Sequence, residues 1–306
     1  MSNSSDEATR LSLIAYQVLS FGGLPIFICG LIGNFINIFA FTIRPEFNKI
    51  PTSIFLVTSF SGSFVTLLTG LLPQLVYGFT GVDPLANYII LCKLRWFLGV
   101  GTATVAVHSL CYAAFNQCLI TTNSVRYQQL ITQRRALILS LFIVIYCMAS
   151  VAPNLFYYTH VINEINQTTC NEINQTTCNV INPTVSSYNA YNTLIIYTLI
   201  PMFSLSLFSL LTLRNIRNML VRRPALEQTV IVLIATVAYC IRKIYFLYET
   251  VFENNSIRIA RDEILTNGFT LCGFSIHGFT FFIYLAISKP FRTNIQYLIR
   301  KRQSRN

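Results

Sequence analysis

Residues 92–118 read CKLRWFLGVGTATVAVHSLCYAAFNQC, and this stretch decides the fold of the chain. No charged side chain occurs within 96–125, a run that would be about 45 Å long as an α-helix. A hydrocarbon core is about 30 Å thick, so an apolar helix of this length can cross it. Cys92 and Arg95 stand at one end, and the polar residues 116–118 stand at the other. The sequence therefore predicts a membrane-spanning helix with two chemically different ends.

Composition extends that prediction to the whole chain. Apolar residues make up 53% of the sequence, charged residues make up 11%, and the mean hydropathy is +0.55. These values exclude a water-soluble domain of this length. Seven stretches are long enough to span a bilayer, although the adjacent pair Arg242-Lys243 interrupts the sixth. The predicted spans are about 14–43, 51–78, 92–122, 134–156, 189–219, 225–252 and 264–288.

Backbone hydrogen bonding requires these spans to be helices. In hydrocarbon every N–H and C=O needs a partner within the protein, and uninterrupted apolar runs lack the alternation of a barrel strand. The prediction is an all-α membrane protein in which residues 1–306 form one seven-helix domain. Residues 1–13 precede the first span, which we interpret as a retained anchor because no A-x-A-like cleavage site follows it. Apolar and basic residues alternate over 290–302, which indicates an amphipathic helix on the inner membrane face.

Basic residues set the predicted orientation. With the N-terminus outside, most loop Lys and Arg residues lie on the inner side, whereas most acids, such as Asp6 and Glu7, lie on the outer side. This distribution fits the positive-inside rule. The formal net charge of +11 therefore indicates topology and an attraction to anionic lipid of the inner leaflet. We expect membrane lipid, and no nucleic acid, as the partner of these charges.

Residues at fixed places in several spans match one receptor family. The matching positions, in chain order, are Gly33-Asn34, Cys92, Pro153, Pro201, Tyr284 and Phe291-Arg292. In this order and spacing the chain resembles the rhodopsin-like (class A) family of G-protein-coupled receptors over about residues 14–302. The resemblance implies a multi-pass receptor of the plasma membrane, with its N-terminus outside. Such a receptor binds an extracellular ligand and acts on a heterotrimeric G protein.

The position where the family couples to its G protein is altered in this chain. The third helix of the family ends in an Asp-Arg-Tyr triplet whose arginine meets the G protein, and this chain has Asn116-Gln117-Cys118 there. The resemblance assigns coupling and switching to these three residues and Tyr284. The second span has no acid, the sixth has no Trp-x-Pro, and the last has no Asn-Pro. These departures support an alternative, a seven-helix decoy or partner subunit that has lost G-protein coupling.

The helix arrangement of receptors in this family implies a ligand site among the outer ends of the helices. Gly99 stands where amine receptors carry an aspartate, so an amine ligand is disfavoured. Arg95 and Lys243 would suit a peptide carboxylate or another anion, and a short neuropeptide is the expected ligand. The residues placed at the ligand are Gln74, Arg95, Gly99, Ala103, Lys243, Tyr245, Tyr248 and Thr270.

The pair Arg242-Lys243 has two interpretations. A charge near the middle of a span costs about 2.5–3.5 kcal/mol on insertion scales, so it faces protein or water by default. In the functional interpretation Lys243 belongs to a cationic wall for an anionic ligand group. In the other, the long side-chain stems extend to the outer headgroups.

An outer loop contains a tandem repeat. Residues 163–170 read NEINQTTC, and residues 171–178 repeat the same eight residues. A unit this short is not a solenoid repeat, whose units have about 20–50 residues. The two copies supply glycosylation sequons at Asn166 and Asn174, in addition to one at Asn3 near the N-terminus.

The same repeat supplies two of the three cysteines that are predicted outside. An oxidising exterior favours a disulfide there, as in the resembled family, where it ties the outer loop to the third helix. We expect Cys92 to pair with Cys178 or with Cys170, and the sequence leaves the choice open.

Catalytic and metal-binding patterns are missing from the sequence. It contains no HExxH, GxSxG, P-loop or paired intramembrane carboxylate, so we expect no enzyme, no catalytic residue and no cofactor. His160 in the outer loop has no CxxC or clustered second ligand beside it, so we expect no metal site. We interpret His108 and His277 as packed or hydrogen-bonded side chains.

Overall fold

The computed structural model describes residues 2–43, 50–82, 84–163, 175–217 and 256–287, and most of them are helical. The long helices are α1 (Ser2–Ile43), α2 (Pro51–Thr80), α3 (Ile89–Ile120), α4 (Gln133–Ser150), α5 (183–217) and α6 (Ser256–Ile287). Short helical turns occupy Pro84–Asn87, Val125–Gln128 and Pro153–Tyr157. Strands β1 (Tyr158–Asn163) and β2 (Gln175–Val180) form a hairpin between α4 and α5.

Five helices within the described ranges are long and apolar enough to cross a membrane. They are Ile14–Ile43, Pro51–Thr80, Ile89–Ile120, Gln133–Tyr157 and Pro183–Asn215. These correspond to the first five predicted spans, with ends shifted by a few residues. Most of the predicted seventh span falls within α6. The predicted sixth span, 225–252, and the predicted amphipathic helix, 290–302, lie outside the described residues.

One face of α4 carries large apolar side chains that no other described helix covers. Leu137 is 62% exposed and Leu141 is 61% exposed, whereas Ala136, Ile143 and Cys147 on the other face are buried. A soluble protein rarely leaves so large an apolar surface in water. Lipid tails would solvate this face, so the exposure pattern is compatible with a membrane protein.

The centre of the described bundle is α3, which packs against α2, α4 and α5. On the other side of α2, α1 packs along the length of α6. The largest core cluster includes Phe55 and Phe60 of α2, Val105 of α3 and Ile143 of α4. Because lipid is as apolar as these side chains, their association in a membrane depends on close packing more than on removal of apolar surface from water.

Small residues let α1 and α6 approach closely. A Cβ added at Gly30 would lie 2.8 Å from the Cα of Gly278, and one added at Gly33 would lie 2.5 Å from the Cβ of Phe281. The close approach brings Asn34 within reach of α6. Its Nδ2 donates to the carbonyl of Gly30 at 2.9 Å and to the carbonyl of His277 at 2.8 Å. This contact fixes the register of the two helices.

Short polar side chains connect α2 to its neighbours. Near one end of the bundle, Asn116 of α3 donates to the hydroxyl of Thr52 at 2.6 Å. The hydroxyls of Thr58 and Ser140 are 2.6 Å apart and join α2 to α4. A hydroxyl in hydrocarbon has no water to bond, so such pairs favour one arrangement of the helices.

Two of the long helices contain a widened, π-helical turn just before a proline. The turn Leu67–Leu71 precedes Pro73 in α2, and the turn Thr193–Leu199 precedes Pro201 in α5. Proline has no N–H, and its ring collides with the carbonyl four residues back, so the preceding turn must widen or bend. A third π-helical turn, Arg95–Gly99 in α3, has no proline after it, and the sequence did not predict it.

The hairpin makes the all-α prediction incomplete. Strands β1 and β2 are antiparallel, and their register pairs Tyr158 with Val180 and His160 with Cys178. Both strands contain β-branched residues, which favour extended backbone. Only the first residue of the octapeptide repeat, Asn163, lies in β1, while β2 begins within the second copy.

A disulfide joins the hairpin to the start of α3. Cys92 is bonded to Cys178, with a Cα–Cα distance of 5.7 Å, so the structure selects Cys178 from the two partners that the sequence left open. Cys170 lies outside the described residues. The bond holds the hairpin over one end of the bundle, which we call the hairpin end.

We expect the two cysteines of the repeat to differ in their effect on stability. Replacing Cys178 with Ser should destabilise the chain by about 2–4 kcal/mol, because the bond closes a long loop. Replacing Cys170 with Ser should leave stability unchanged. Thermal unfolding of the full chain in detergent measures both, with Cys92→Ser as the reference without the bridge. A loss of stability in Cys170→Ser but not in Cys178→Ser would contradict the pairing.

Candidate functional site

A cavity of about 230 Å³ lies between α2, α3, α5 and α6 at the hairpin end. All three π-helical turns contribute to its wall. Gly70 comes from the turn in α2, Trp96 from the turn in α3 and Tyr197 from the turn in α5. Widened turns of this kind are frequent at functional sites because they redirect side chains relative to a regular helix.

The cavity brings together the predicted ligand residues that the structure describes. Gln74 comes from α2, Arg95, Gly99 and Ala103 come from α3, and Thr270 comes from α6. The other three, Lys243, Tyr245 and Tyr248, lie outside the described residues, as does Arg242. The two interpretations of the Arg242-Lys243 pair therefore both stay open.

Other wall residues were missed by the sequence analysis. On α6, Gly273, Phe274 and His277 follow Thr270 at helical spacing and share its face. That spacing was visible in the sequence and could have extended the predicted set. Trp96 stands three residues before Gly99, a spacing that places two side chains on one face of a helix, so the same argument could have found it.

The cavity wall contacts the hairpin through the start of α3. The indole of Trp96 stacks on the ring of Tyr158, with centroids 4.8 Å apart and planes inclined by 21°. The guanidinium carbon of Arg95 lies 5.5 Å from the centroid of the Trp96 ring. Burial raises the pKa of Tyr158 to about 12, and the nearby charge of Arg95 opposes this shift. The phenol therefore stays neutral at physiological pH.

His277 forms part of the cavity wall deepest in the bundle. It is 2% exposed, its Nδ1 lies 2.9 Å from Oγ of Ser63, and its Nε2 lies 3.4 Å from the hydroxyl oxygen of Tyr197. Neutral imidazole has one donor and one acceptor nitrogen, so the ring donates in one contact and accepts in the other. The residue thus joins α2, α5 and α6 through one side chain. Its interpretation as a hydrogen-bonded residue is confirmed.

The wall between α2 and α3 is smooth. A Cβ added at Gly99 would lie 3.6 Å from Oγ1 of Thr69, an ordinary contact, whereas one added at Gly70 would lie 3.1 Å from two ring atoms of Phe274. Ala103 continues the α3 side and is buried. Small residues therefore let α2, α3 and α6 pack closely on this side of the cavity.

Residues predicted to couple to a G protein lie at the opposite end of α3. Asn116 is buried against Thr52, whereas Gln117 is exposed. The carbonyl of Cys118 accepts a hydrogen bond from Asn215 of α5 at 3.3 Å. Tyr284 belongs to α6, but its side chain is not among the described ones. Two of the predicted residues therefore contact neighbouring helices, and Gln117 faces outward.

The other predicted sites that the structure describes do not line the cavity. His108 donates from Nδ1 to the carbonyl of Thr104, 3.0 Å away within its own helix, which confirms it as a hydrogen-bonded side chain. Asn3 belongs to α1. The sequons at Asn166 and Asn174 lie outside the described residues. Among the described residues no three His, Cys, Asp or Glu side chains cluster as metal ligands.

Neither a protein-family model nor a curated protein matches this sequence.

The contact between Ser63 and His277 should contribute to the stability of the bundle. We expect Ser63→Ala to lower the free energy of unfolding by about 1–2 kcal/mol, because it leaves a buried ring nitrogen without its partner. Ser206 is a matched control, since its hydroxyl donates only to the carbonyl of Met202 in the same helix. Ser206→Ala should change stability by less than about 0.5 kcal/mol. Equal losses in thermal unfolding of the two variants would contradict the role of the contact.

Proposed function

We propose that this chain is a receptor of the rhodopsin-like type that binds an extracellular ligand and transmits a conformational signal across the plasma membrane. One observation carries the proposal. Five residues selected by resemblance to that family, from three different helices, line the same cavity. A disulfide-linked hairpin covers the same end of the bundle. The described part of the cavity wall is mostly apolar and includes the positively charged Arg95, which suits ligand binding.

In this proposal seven helices cross the membrane, with the hairpin end outside. The charge distribution supports the orientation, because Arg126, Arg134 and Arg135 lie at the other end, where the positive-inside rule places basic residues. The Cys92–Cys178 bond supports it independently, because disulfides form and persist in oxidising compartments. The sequons at Asn166 and Asn174 would then be available for glycosylation. The predicted sixth span and the amphipathic helix 290–302 complete the proposed architecture.

The proposed signal runs from the cavity to the inner end of α3. His277 touches both the cavity and Ser63, and the carbonyl of His277 holds Asn34 of α1. At the inner end, Asn116 is bonded to α2 and Asn215 of α5 is bonded to α3. A ligand that shifts α6 or α5 would therefore alter contacts both at the cavity and at the inner end of α3. Gln117 is exposed there and could meet a heterotrimeric G protein.

One observation favours a second candidate function. Gln117 is exposed at the inner end of α3 but has no charge, whereas the family uses an arginine at this position. A chain that keeps the cavity but lacks this charge could serve as a non-signalling decoy or as a partner subunit of another receptor. The two candidates share the binding site and differ only in coupling.

Nucleotide exchange separates the two candidates. We expect membranes that contain the natural chain to drive exchange on a panel of G proteins above the level of empty membranes. Gln117→Arg should raise this exchange, because it restores the charge that the family uses. Gln129→Arg adds the same charge at another exposed position of the same end and should have no effect. Exchange that appears only with Gln117→Arg would contradict signalling by the natural chain and favour the decoy.

A further inference from the structure

The loop between α3 and α4, residues 121–132, is held against the bundle at both of its ends. Nε2 of Gln128 donates to the carbonyl of Thr122 at 2.7 Å, which ties the short helical turn of the loop back to the end of α3. Nη1 of Arg135 donates to the carbonyl of Leu130 at 2.7 Å, which ties the loop to the first turn of α4. The loop therefore presents its outward side chains on an ordered surface, at the end of the bundle opposite the hairpin.

This surface combines apolar and basic side chains. Val125, Tyr127 and Leu130 are exposed, and the exposed Arg126 stands between the first two. Ile131, by contrast, is buried in the largest core cluster. Exposed apolar side chains that alternate with arginine are typical of segments that lie in the headgroup region of a membrane. The loop lies next to two helices that are long and apolar enough to cross a membrane, so this depth suits it.

One face of α4 continues the surface toward the middle of the bundle. Arg134, Ile138, Leu141 and Ile145 follow one another at spacings of four, three and four residues, so they form one stripe along the helix. All four side chains are exposed. The stripe is about 16 Å long, and the hydrocarbon of one leaflet is about 15 Å thick. A charged headgroup at Arg134 and an acyl chain along the three apolar residues would match it.

The charge of this region favours an anionic headgroup. Arg126, Arg134 and Arg135 carry three positive charges, and the sequence has no Asp or Glu between residues 84 and 163. Two of the arginines stand in the first turn of α4, where the helix dipole adds further positive potential and acidic residues are normally favoured. Arginine binds phosphate oxygens through two parallel N–H groups. A headgroup with a net negative charge is therefore the electrostatic complement of the region.

We propose that the α3–α4 loop and the start of α4 bind a phospholipid with a net negative headgroup. Its phosphate lies at Arg134, one acyl chain follows the stripe to Ile145, and Arg126 and Arg135 add to the attraction. A soluble protein could contact the loop, but it could not follow the stripe into hydrocarbon, so lipid is the better match. The inference goes beyond the receptor proposal. It depends on α3 and α4 crossing a membrane, and it depends neither on the ligand cavity nor on signalling.

Quenching of tryptophan fluorescence by brominated lipid tests the site directly, because it reports the lipids next to one side chain. The chain has one tryptophan, Trp96, which is replaced with Phe. Leu137→Trp then places a single tryptophan beside the stripe. The full chain is reconstituted in phosphatidylcholine nanodiscs that contain a small, equal fraction of dibrominated phosphatidylglycerol or dibrominated phosphatidylcholine with the same acyl chains. We expect the brominated phosphatidylglycerol to be enriched about fivefold at this tryptophan.

Matched variants show whether the enrichment uses this site. Phe156→Trp places the tryptophan at an exposed apolar position at the other end of the same span, where the two brominated lipids should quench equally. In the Leu137→Trp chain, Arg126→Gln with Arg134→Gln should remove the enrichment, whereas Arg134→Lys should keep most of it. Arg10→Gln, a change of an exposed arginine near the N-terminus, should leave it unchanged.

A water-soluble anion separates a lipid site from a general anion site. Glycerol 3-phosphate carries a phosphate without acyl chains, so we expect it not to displace the brominated phosphatidylglycerol. Displacement by this probe would overturn the inference, as would equal quenching by the two lipids at Leu137→Trp or equal enrichment at Phe156→Trp. Enrichment that survives Arg126→Gln with Arg134→Gln would also overturn it, and loss of nucleotide exchange in that same variant would assign the surface to a protein partner. None of the lipid measurements requires nucleotide exchange, so a failure of the receptor proposal leaves them unchanged.

Discussion

The need to satisfy every backbone hydrogen bond in hydrocarbon is the constraint on which the rest of this structure depends. It turns each long apolar run into a helix, and it leaves side chains as the means of connecting one helix to the next. Polar connections are therefore few and short. Asn34 reaches the carbonyl of His277, Thr58 meets Ser140, and Asn116 meets Thr52. Between them, small residues such as Gly30 let the helices approach closely.

The candidate site follows from local departures from regular helix within that bundle. Pro73 and Pro201 each follow a widened turn, and a third widened turn gives Arg95, Trp96 and Gly99 to the same wall. The disulfide to Cys178 then holds the hairpin against the start of α3, where Tyr158 stacks on Trp96. Within a membrane such irregular backbone would be tolerated because neighbouring helices surround it. The cavity thus lies where the helices are least regular.

Much of this arrangement could be predicted from charge-free runs and from a few residues at fixed places. The helices of the first five predicted spans, and five residues of the cavity wall, were found in this way. The partner of Cys92 could not be chosen, because the two copies of NEINQTTC are identical and only the pairing of β1 with β2 distinguishes them. Trp96 was missed although its spacing from Gly99 places both side chains on one face of a helix. The π-helical turn Arg95–Gly99 could not be predicted, because no proline follows it.

The central claim is a seven-span bundle whose cavity opens to the outside. An odd number of spans places the two termini on opposite sides of the membrane. An epitope tag is therefore attached to each end of the full chain, and antibody staining is compared before and after the cells are permeabilised. This measurement tests the topology most directly. The account predicts that the N-terminal tag is stained on intact cells and that the C-terminal tag is stained only after permeabilisation. Staining of both tags on intact cells, or of neither, would show an even number of spans and contradict the account.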